Sequence, residues 1–219
     1  MTVPGRMEAA SLLLSLDPQP WFVRHARAVA EVAGWLAARI DGHGVRIDRR
    51  LVEAAALLHD VDKALPDGDP LRVLPHGEGS AAWLIAAGHP ELARSVAIHP
   101  VTRLRDGEQF RRWAAFASRE ERIVAYADKR AGQRLESMDA RFASWRQRYP
   151  PSAPGHDGAW DDATFTAVRL RAERLEADVC RAAGIAPDEV RRLAWTGAAS
   201  RAARRAGVAG RPLATGRPR

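Results

Sequence analysis

Residues 51–63 read Leu51-Val52-Glu53-Ala54-Ala55-Ala56-Leu57-Leu58-His59-Asp60-Val61-Asp62-Lys63. Asp48, just upstream, is a helix-capping residue type, and the stretch to Leu58 is apolar on nearly every side of a 3.6-residue repeat. A helix of that kind belongs in the middle of a domain. The segment from Asp48 to about Asp60 is therefore expected to be a buried central helix that carries His59 and Asp60 into the interior. Burying a polar group without a partner costs roughly 2–7 kcal/mol, so these two need compensation there.

Working outward, helical signals continue on both sides. After Pro20 the residues Phe22, His25, Val29, Val32, Leu36 and Ile40 recur at three- and four-residue steps, one face of a helix stopped by Asp41-Gly42-His43-Gly44. Downstream, Pro66 to Pro75 is a polar loop. Helices are expected from about His76 to Ala87, Pro90 to His99 and Glu108 to Phe116. After a break near Ser118, one more is expected from Arg119 to about Gln147. Pro150-Pro151-Ser152-Ala153-Pro154-Gly155 then interrupts regular structure. Trp160–Gly184 and Pro187–Trp195 read as two further helices. No stretch shows the apolar/polar alternation of a strand. The chain reads as all-α, with a helical domain over 1–149, a helical extension over 156–195 and a basic, disordered tail over 196–219.

With 219 residues, 46% hydrophobic and 28% charged, the chain can build one core and an appendage. No apolar run approaches the ~20 residues that span a bilayer, and Leu12–Leu16 is far too short. No membrane association is expected, and the cytoplasm is the expected location. The single cysteine, Cys180, excludes an internal disulfide and a thiolate-rich metal site. A bound metal would need histidines and carboxylates. The net charge is +7 and the pI about 10.7. Lys63 and Lys129 are the only lysines, and this arginine skew together with the alanine richness points to coding bias. A nucleic-acid-binding function ranks last, because the basic tail lacks interleaved aromatics and zinc-finger spacing is absent. The charge suits phosphorylated small molecules equally well.

Seven histidines are present. His43, His89 and His156 sit beside Gly or Pro and read as exposed turn residues. The other four differ. His25 lies on the apolar stripe with Phe22 and Val29, and His59 ends the buried helix. His76 shares a face with Ser80, Trp83 and Leu84, and His99 follows Leu92 and Val96. Asp128 falls on a stripe with Val124, Ala131, Leu135 and Met138. A lone histidine on an apolar face is usually a core residue bonded to a backbone carbonyl. Four histidines and two aspartates converging from different helices point instead to a shared cation.

The ordered series His25, Leu57-Leu58-His59-Asp60-Val61-Asp62-Lys63, His76-Gly77-Glu78-Gly79-Ser80-Ala81, Ile98-His99 and Asp128 resembles the HD-domain metal-dependent phosphohydrolase superfamily. Within it, the order is most similar to the bacterial branch that splits diadenosine tetraphosphate symmetrically. The resemblance covers about residues 20–145 and implies a helical bundle with the His-Asp pair at a helix end. It implies that His25, His59, Asp60 and Asp128 hold one divalent transition metal, iron, manganese, cobalt or nickel. His76 and His99 would hold a second, with Asp60 bridging. Lys63 would meet a substrate phosphate, and a metal-activated water would attack phosphorus in a nucleotide or other phosphorylated substrate. Arg103, Arg105, Lys129 and Arg130 are candidate contacts for further phosphates. Two positions depart from the family pattern. Asp62 stands where glycine is usual, and Ile98-His99-Pro100 lacks the Tyr and Thr that flank this histidine in the tetraphosphatase branch. The alternative is a nucleotide-sensing module that keeps the fold without turnover.

Overall fold

Asp48 caps the central helix, its carboxylate accepting from the Leu51 amide at 2.9 Å. That helix, α3 (Arg49–Leu58), packs against α1 (Arg6–Ser15), α2 (Pro20–Gly42), α5 (Pro90–Ala97) and α7 (Arg119–Arg130). Val52 and the whole run from Ala54 to Leu58 are buried, as a helix surrounded by four others requires. The structure, a computed structural model, describes residues 3–151 and 160–207. The remaining helices are α4 (Glu78–Ala86), α6 (Gly107–Phe116), α8 (Met138–Arg148), α9 (Asp162–Ala183) and α10 (Thr196–Arg205). The described residues hold no strand, only an isolated bridge between Ala131 and Leu135. None of their helices is long and apolar enough to cross a membrane.

The helices begin and end where local chemistry dictates. Pro20 occupies the first turn of α2, where its missing amide proton is no loss. Ser118, Ser137 and Asp161 cap α7, α8 and α9 through their side chains. Gly184, at φ 61°, closes α9 in the left-handed conformation that favours glycine. α9 then lies along α7 and α2 and completes the bundle on that side.

Four expectations need correction. The helix expected from Arg119 to Gln147 is two helices, because Ala131 turns extended and Gly132 begins a tight turn, with the Glu136 amide donating to the Arg130 carbonyl at 2.8 Å. Leu135 and Met138 therefore do not share a helix with Asp128. Pro187–Trp195 forms only a short 3-10 turn, Pro187–Glu189, followed by an irregular segment to Trp195. Arg6–Ser15 is a helix that the sequence reading left out. The tail expected to be disordered from Thr196 instead forms α10, which packs on α1 and buries Thr196, Ala199 and Ala203. The Thr196 hydroxyl joins Glu31 on α2 and accepts from Arg27 Nε at 2.9 Å, so a polar anchor holds this alanine-rich helix. Residues 208–219 of the expected tail, the start of the expected extension and His156 lie outside the described residues.

Candidate metal centre

Three helix C-termini, the turn before a fourth helix and the interior of a fifth bring their side chains together. His59 is the C-cap of α3, Asp60 follows it, and the chain turns through Val61–Ala64 to present Lys63. His99 lies just beyond α5, Asp128 sits in the last turn of α7, and His25 faces inward from α2. His76 precedes α4 on a turn fixed by Gly77 at φ 89°. A Cβ at Gly77 would stand 2.6 Å from the Ala97 carbonyl oxygen, so only glycine lets this turn approach α5 so closely.

The second nitrogen of each imidazole is already engaged. Nδ1 of His25 meets the Gly132 carbonyl at 2.7 Å, Nδ1 of His59 the Ala56 carbonyl at 2.8 Å, and Nδ1 of His99 the Val96 carbonyl at 2.6 Å. Nδ1 of His76 meets Asp62 Oδ2 at 2.8 Å. A carbonyl or carboxylate oxygen only accepts, so each Nδ1 must donate, which leaves each neutral ring with a lone pair on Nε2. Those Nε2 atoms converge on two carboxylates. His25 Nε2 lies 3.3 Å from Asp60 Oδ2 and 3.5 Å from Asp128 Oδ1. For His59 Nε2 the same oxygens are 3.6 and 3.7 Å away. His76 Nε2 and His99 Nε2 each lie 3.0 Å from Asp60 Oδ1.

This donor set fits a divalent cation. His25 Nε2 and His59 Nε2 are 3.2 Å apart, where two lone pairs repel unless a proton or a cation lies between them. Ligands held ~2.1 Å from one ion sit ~3.0–3.4 Å from one another, close to the separations seen here. The groupings able to hold an ion are His25 with His59 and Asp128, His59 with Asp60 and His99, and Asp60 with Asp62 and His76. In the last of these, Asp62 faces Nδ1 of His76, so it is better placed to orient that ring than to share its ion.

Without a metal, the charges are balanced by protons. Burial disfavours the Asp60 carboxylate, but His59, Lys63 and His76 around it hold its pKa well below the usual carboxylate range. Asp128 is buried too and is likewise held well below, by His59 first. Burial pushes the His99 imidazole down to about 4, so that ring is neutral at pH 7. His76 is half-buried, and Asp60 and Asp62 outweigh its desolvation and hold it up at about 9. Lys63 Nζ donates to Asp60 Oδ2 at 2.5 Å.

The site opens into a cleft of about 600 Å³, a size suited to a small molecule. His25, Asp60, Lys63, His76 and Asp128 form its floor. Trp21 also lines it, as do Arg141, Trp145 and Arg148 from α8, with Tyr149 at that helix's C-terminal end.

The other arginine and lysine candidates are elsewhere. Lys129 is fully buried, its Nζ donating to the His99 and Ala125 carbonyls at 2.8 and 3.0 Å, and burial lowers its pKa to about 8. It holds the backbone of His99 and cannot reach a substrate. Arg130 is also buried, tied to the Tyr126 hydroxyl, Glu176 and the carbonyls of Glu136 and Pro187. Arg103 pairs with Glu78, and neither it nor Arg105 lines the cleft. Their nearness in sequence to His99 and Asp128 was misleading because a helix points neighbouring residues in different directions. The sequence reading missed Asp62 as a partner of His76, and missed the α8 residues that line the cleft. The spacing of Arg141, Trp145 and Arg148 at i, i+4 and i+7 carried that signal. Of the histidines expected in exposed turns, His43 is exposed, while His89 is half-buried beside Glu91.

Residues 22–132, just over half of the chain, match the HD domain family. No match was found among the curated proteins or among the solved structures. Members of the matched family are generally metal-dependent phosphohydrolases, and the cluster of histidines and aspartates that could hold a metal falls within the matched segment. By its matched segment and its helical bundle, the chain belongs to the HD domain family.

Proposed function

We propose that the protein hydrolyses phosphoester or phosphoanhydride bonds in nucleotides, dinucleoside polyphosphates included, using divalent transition metal such as iron, manganese, cobalt or nickel. The observation that carries this reading is how Asp60 divides its oxygens. Oδ1 serves His76 and His99, each at 3.0 Å, while Oδ2 faces His25 at 3.3 Å and His59 at 3.6 Å. One ion would be held by His25, His59, Asp60 and Asp128, and a second by His76, His99 and Asp60. When bound, such ions supply a nucleophilic water near neutral pH and neutralise charge on phosphoryl oxygens.

The chain's own residues do the rest. Asp60 would contribute one carboxylate to both positions, and its negative charge would lower the repulsion between two cations held there. The Ala56, Val96 and Gly132 carbonyls keep three imidazoles in one tautomer, so their Nε2 lone pairs stay aimed inward. Lys63 is anchored on Asp60 and partly exposed on the cleft floor, where its remaining ammonium protons face an incoming phosphate. The Trp21 and Trp145 side chains narrow the cleft with apolar surface, which strengthens every charge interaction inside it.

The test is phosphate release from mono-, di- and dinucleoside polyphosphates by protein loaded with each metal in turn. Asp60→Ala should abolish activity and metal retention together. Lys63→Ala should keep its metal and lose one to two decades of catalytic efficiency, the value of a charge-assisted bond of about 1.5–3 kcal/mol. Metal-loaded protein that turns over none of these substrates would leave the sensing module as the better reading.

A further inference from the structure

The arginines of this chain fall into two groups. Some are fully engaged: Arg130 makes four hydrogen bonds, and Arg169 pairs with Asp139 and Glu173. Arg141 is different. Its side chain is only 12% exposed, yet its guanidinium makes a single long bond, Nη2 to the Asp128 carbonyl at 3.5 Å. Glu136, which also lines the cleft, forms an ion pair with Nη1 at 3.9 Å that is too long for a hydrogen bond, and Nε is buried with no hydrogen-bond partner among the described residues. Packing holds the group in place instead, with the guanidinium stacked 4.8 Å from the centroid of the Trp145 ring. A buried guanidinium Nε–H with no acceptor is costly unless something else satisfies it.

Its position identifies that something. Arg141 lines the same cleft as Asp60, Lys63 and Asp128, but from α8, which lies beyond the segment matched to the family. Arg148 is on the same face of α8, about 10 Å further along the helix axis. It also lines the cleft and has no carboxylate partner among the described residues, only the Tyr149 ring beneath it at 5.7 Å. The bond being broken must lie over the metal ligands and Lys63. Arg141 touches the backbone of Asp128 and not the ligand atoms, so an anion in its fork sits beside the reacting phosphorus.

We infer that Arg141, assisted by Arg148, binds a phosphoryl group adjacent to the one being hydrolysed, so that the site selects substrates with at least two linked phosphates over simple monoesters. This rests on the hydrolytic reading for its biological meaning, but the binding step can be measured without turnover. The planar fork of arginine matches two phosphoryl oxygens at once, which lysine cannot do.

The experiment is calorimetric titration of manganese-loaded protein with methylenediphosphonate and with methylphosphonate, both resistant to hydrolysis. The wild-type protein should prefer the diphosphonate. Arg141→Gln should weaken diphosphonate binding roughly tenfold to a hundredfold, leave methylphosphonate within about twofold, and leave metal content unchanged. Arg141→Lys should recover only part of the loss. Equal weakening of both ligands, no weakening, or no wild-type preference for the diphosphonate overturns the inference. Arg148 is exposed, so Arg148→Gln should fold normally and show a smaller loss in the same direction. If Arg141→Gln does not fold, an unchanged Arg148→Gln overturns the inference by itself. Diphosphonate selectivity in a protein that hydrolyses nothing would remove the hydrolytic reading and leave this subsite standing.

Discussion

Replacing Asp62 with asparagine tests how the centre is built, because it changes the support of one ligand and touches no other. Asp62 Oδ2 accepts from His76 Nδ1 at 2.8 Å, and its other oxygen is buried without a hydrogen-bond partner. Asparagine keeps the shape and an acceptor but removes the charge that raises the electron density of the His76 ring. Loss of such an outer partner typically lowers metal affinity 10–100-fold, or about 1.4–2.7 kcal/mol. The effect should be confined to one ion. His76 lies 3.0 Å from Asp60 Oδ1, while His25, His59 and Asp128 face one another on the Oδ2 side. Chelator competition followed by metal analysis should therefore show one tightly held ion and one weakened ion in Asp62→Asn. Two ions weakened alike, or an unchanged pair, would refute the assignment of His76 to a separate position and of Asp62 to its support.

Two further outcomes follow from the charge balance and from α10. In metal-free protein His76 is held at about 9 against an ordinary 6.5, so its contribution to stability is fully present below about 6.5 and lost as pH rises through about 9. A metal must displace that proton, so affinity at the His76 position should climb by up to about tenfold per pH unit over this window and level off above it. A flat profile in a competition titration would contradict the arrangement. Ending the chain at Trp195 removes α10, leaves the buried Glu31 carboxylate with Arg192 at 3.4 Å but without the Thr196 hydroxyl, and uncovers α1. A loss of about 2–4 kcal/mol, or roughly 5–15 °C in Tm, should appear in a thermal melt, and an unchanged Tm would show that α10 adds nothing.

The central helix was legible because its signal is local. Asp48, an apolar run and a terminal His-Asp pair need no tertiary information, and α2, α5 and α9 announce themselves with Pro20, Pro90 and Gly184 in the same way. α10 was not legible, because small residues and arginines carry little apolar area, and its burial depends on α1 and on a hydroxyl bond to Glu31. The six polar groups at the centre could be singled out because each is anomalous on its own helix. The candidate phosphate contacts fared worse. Lys129 and Arg130 look available in sequence, yet the side of α7 that bears them faces the core.

The break at Gly132 connects these successes and failures. Helical periodicity runs straight through residues 128–138, and a reading by periodicity alone joins α7 to α8. Had the helix continued, the Gly132 carbonyl would point along the axis towards an amide four residues later. Interrupted, it is free to accept from His25 Nδ1, and this fixes the ring whose Nε2 faces both Asp60 and Asp128. Past the same turn, Arg141, Trp145 and Arg148 on α8 line the cleft that holds His25, Asp60 and Asp128. One local departure from helical order thus orients the His25 ring and brings α8 residues into the lining of the cleft. The match to the family ends at this turn, and the α8 residues that line the cleft begin just past it.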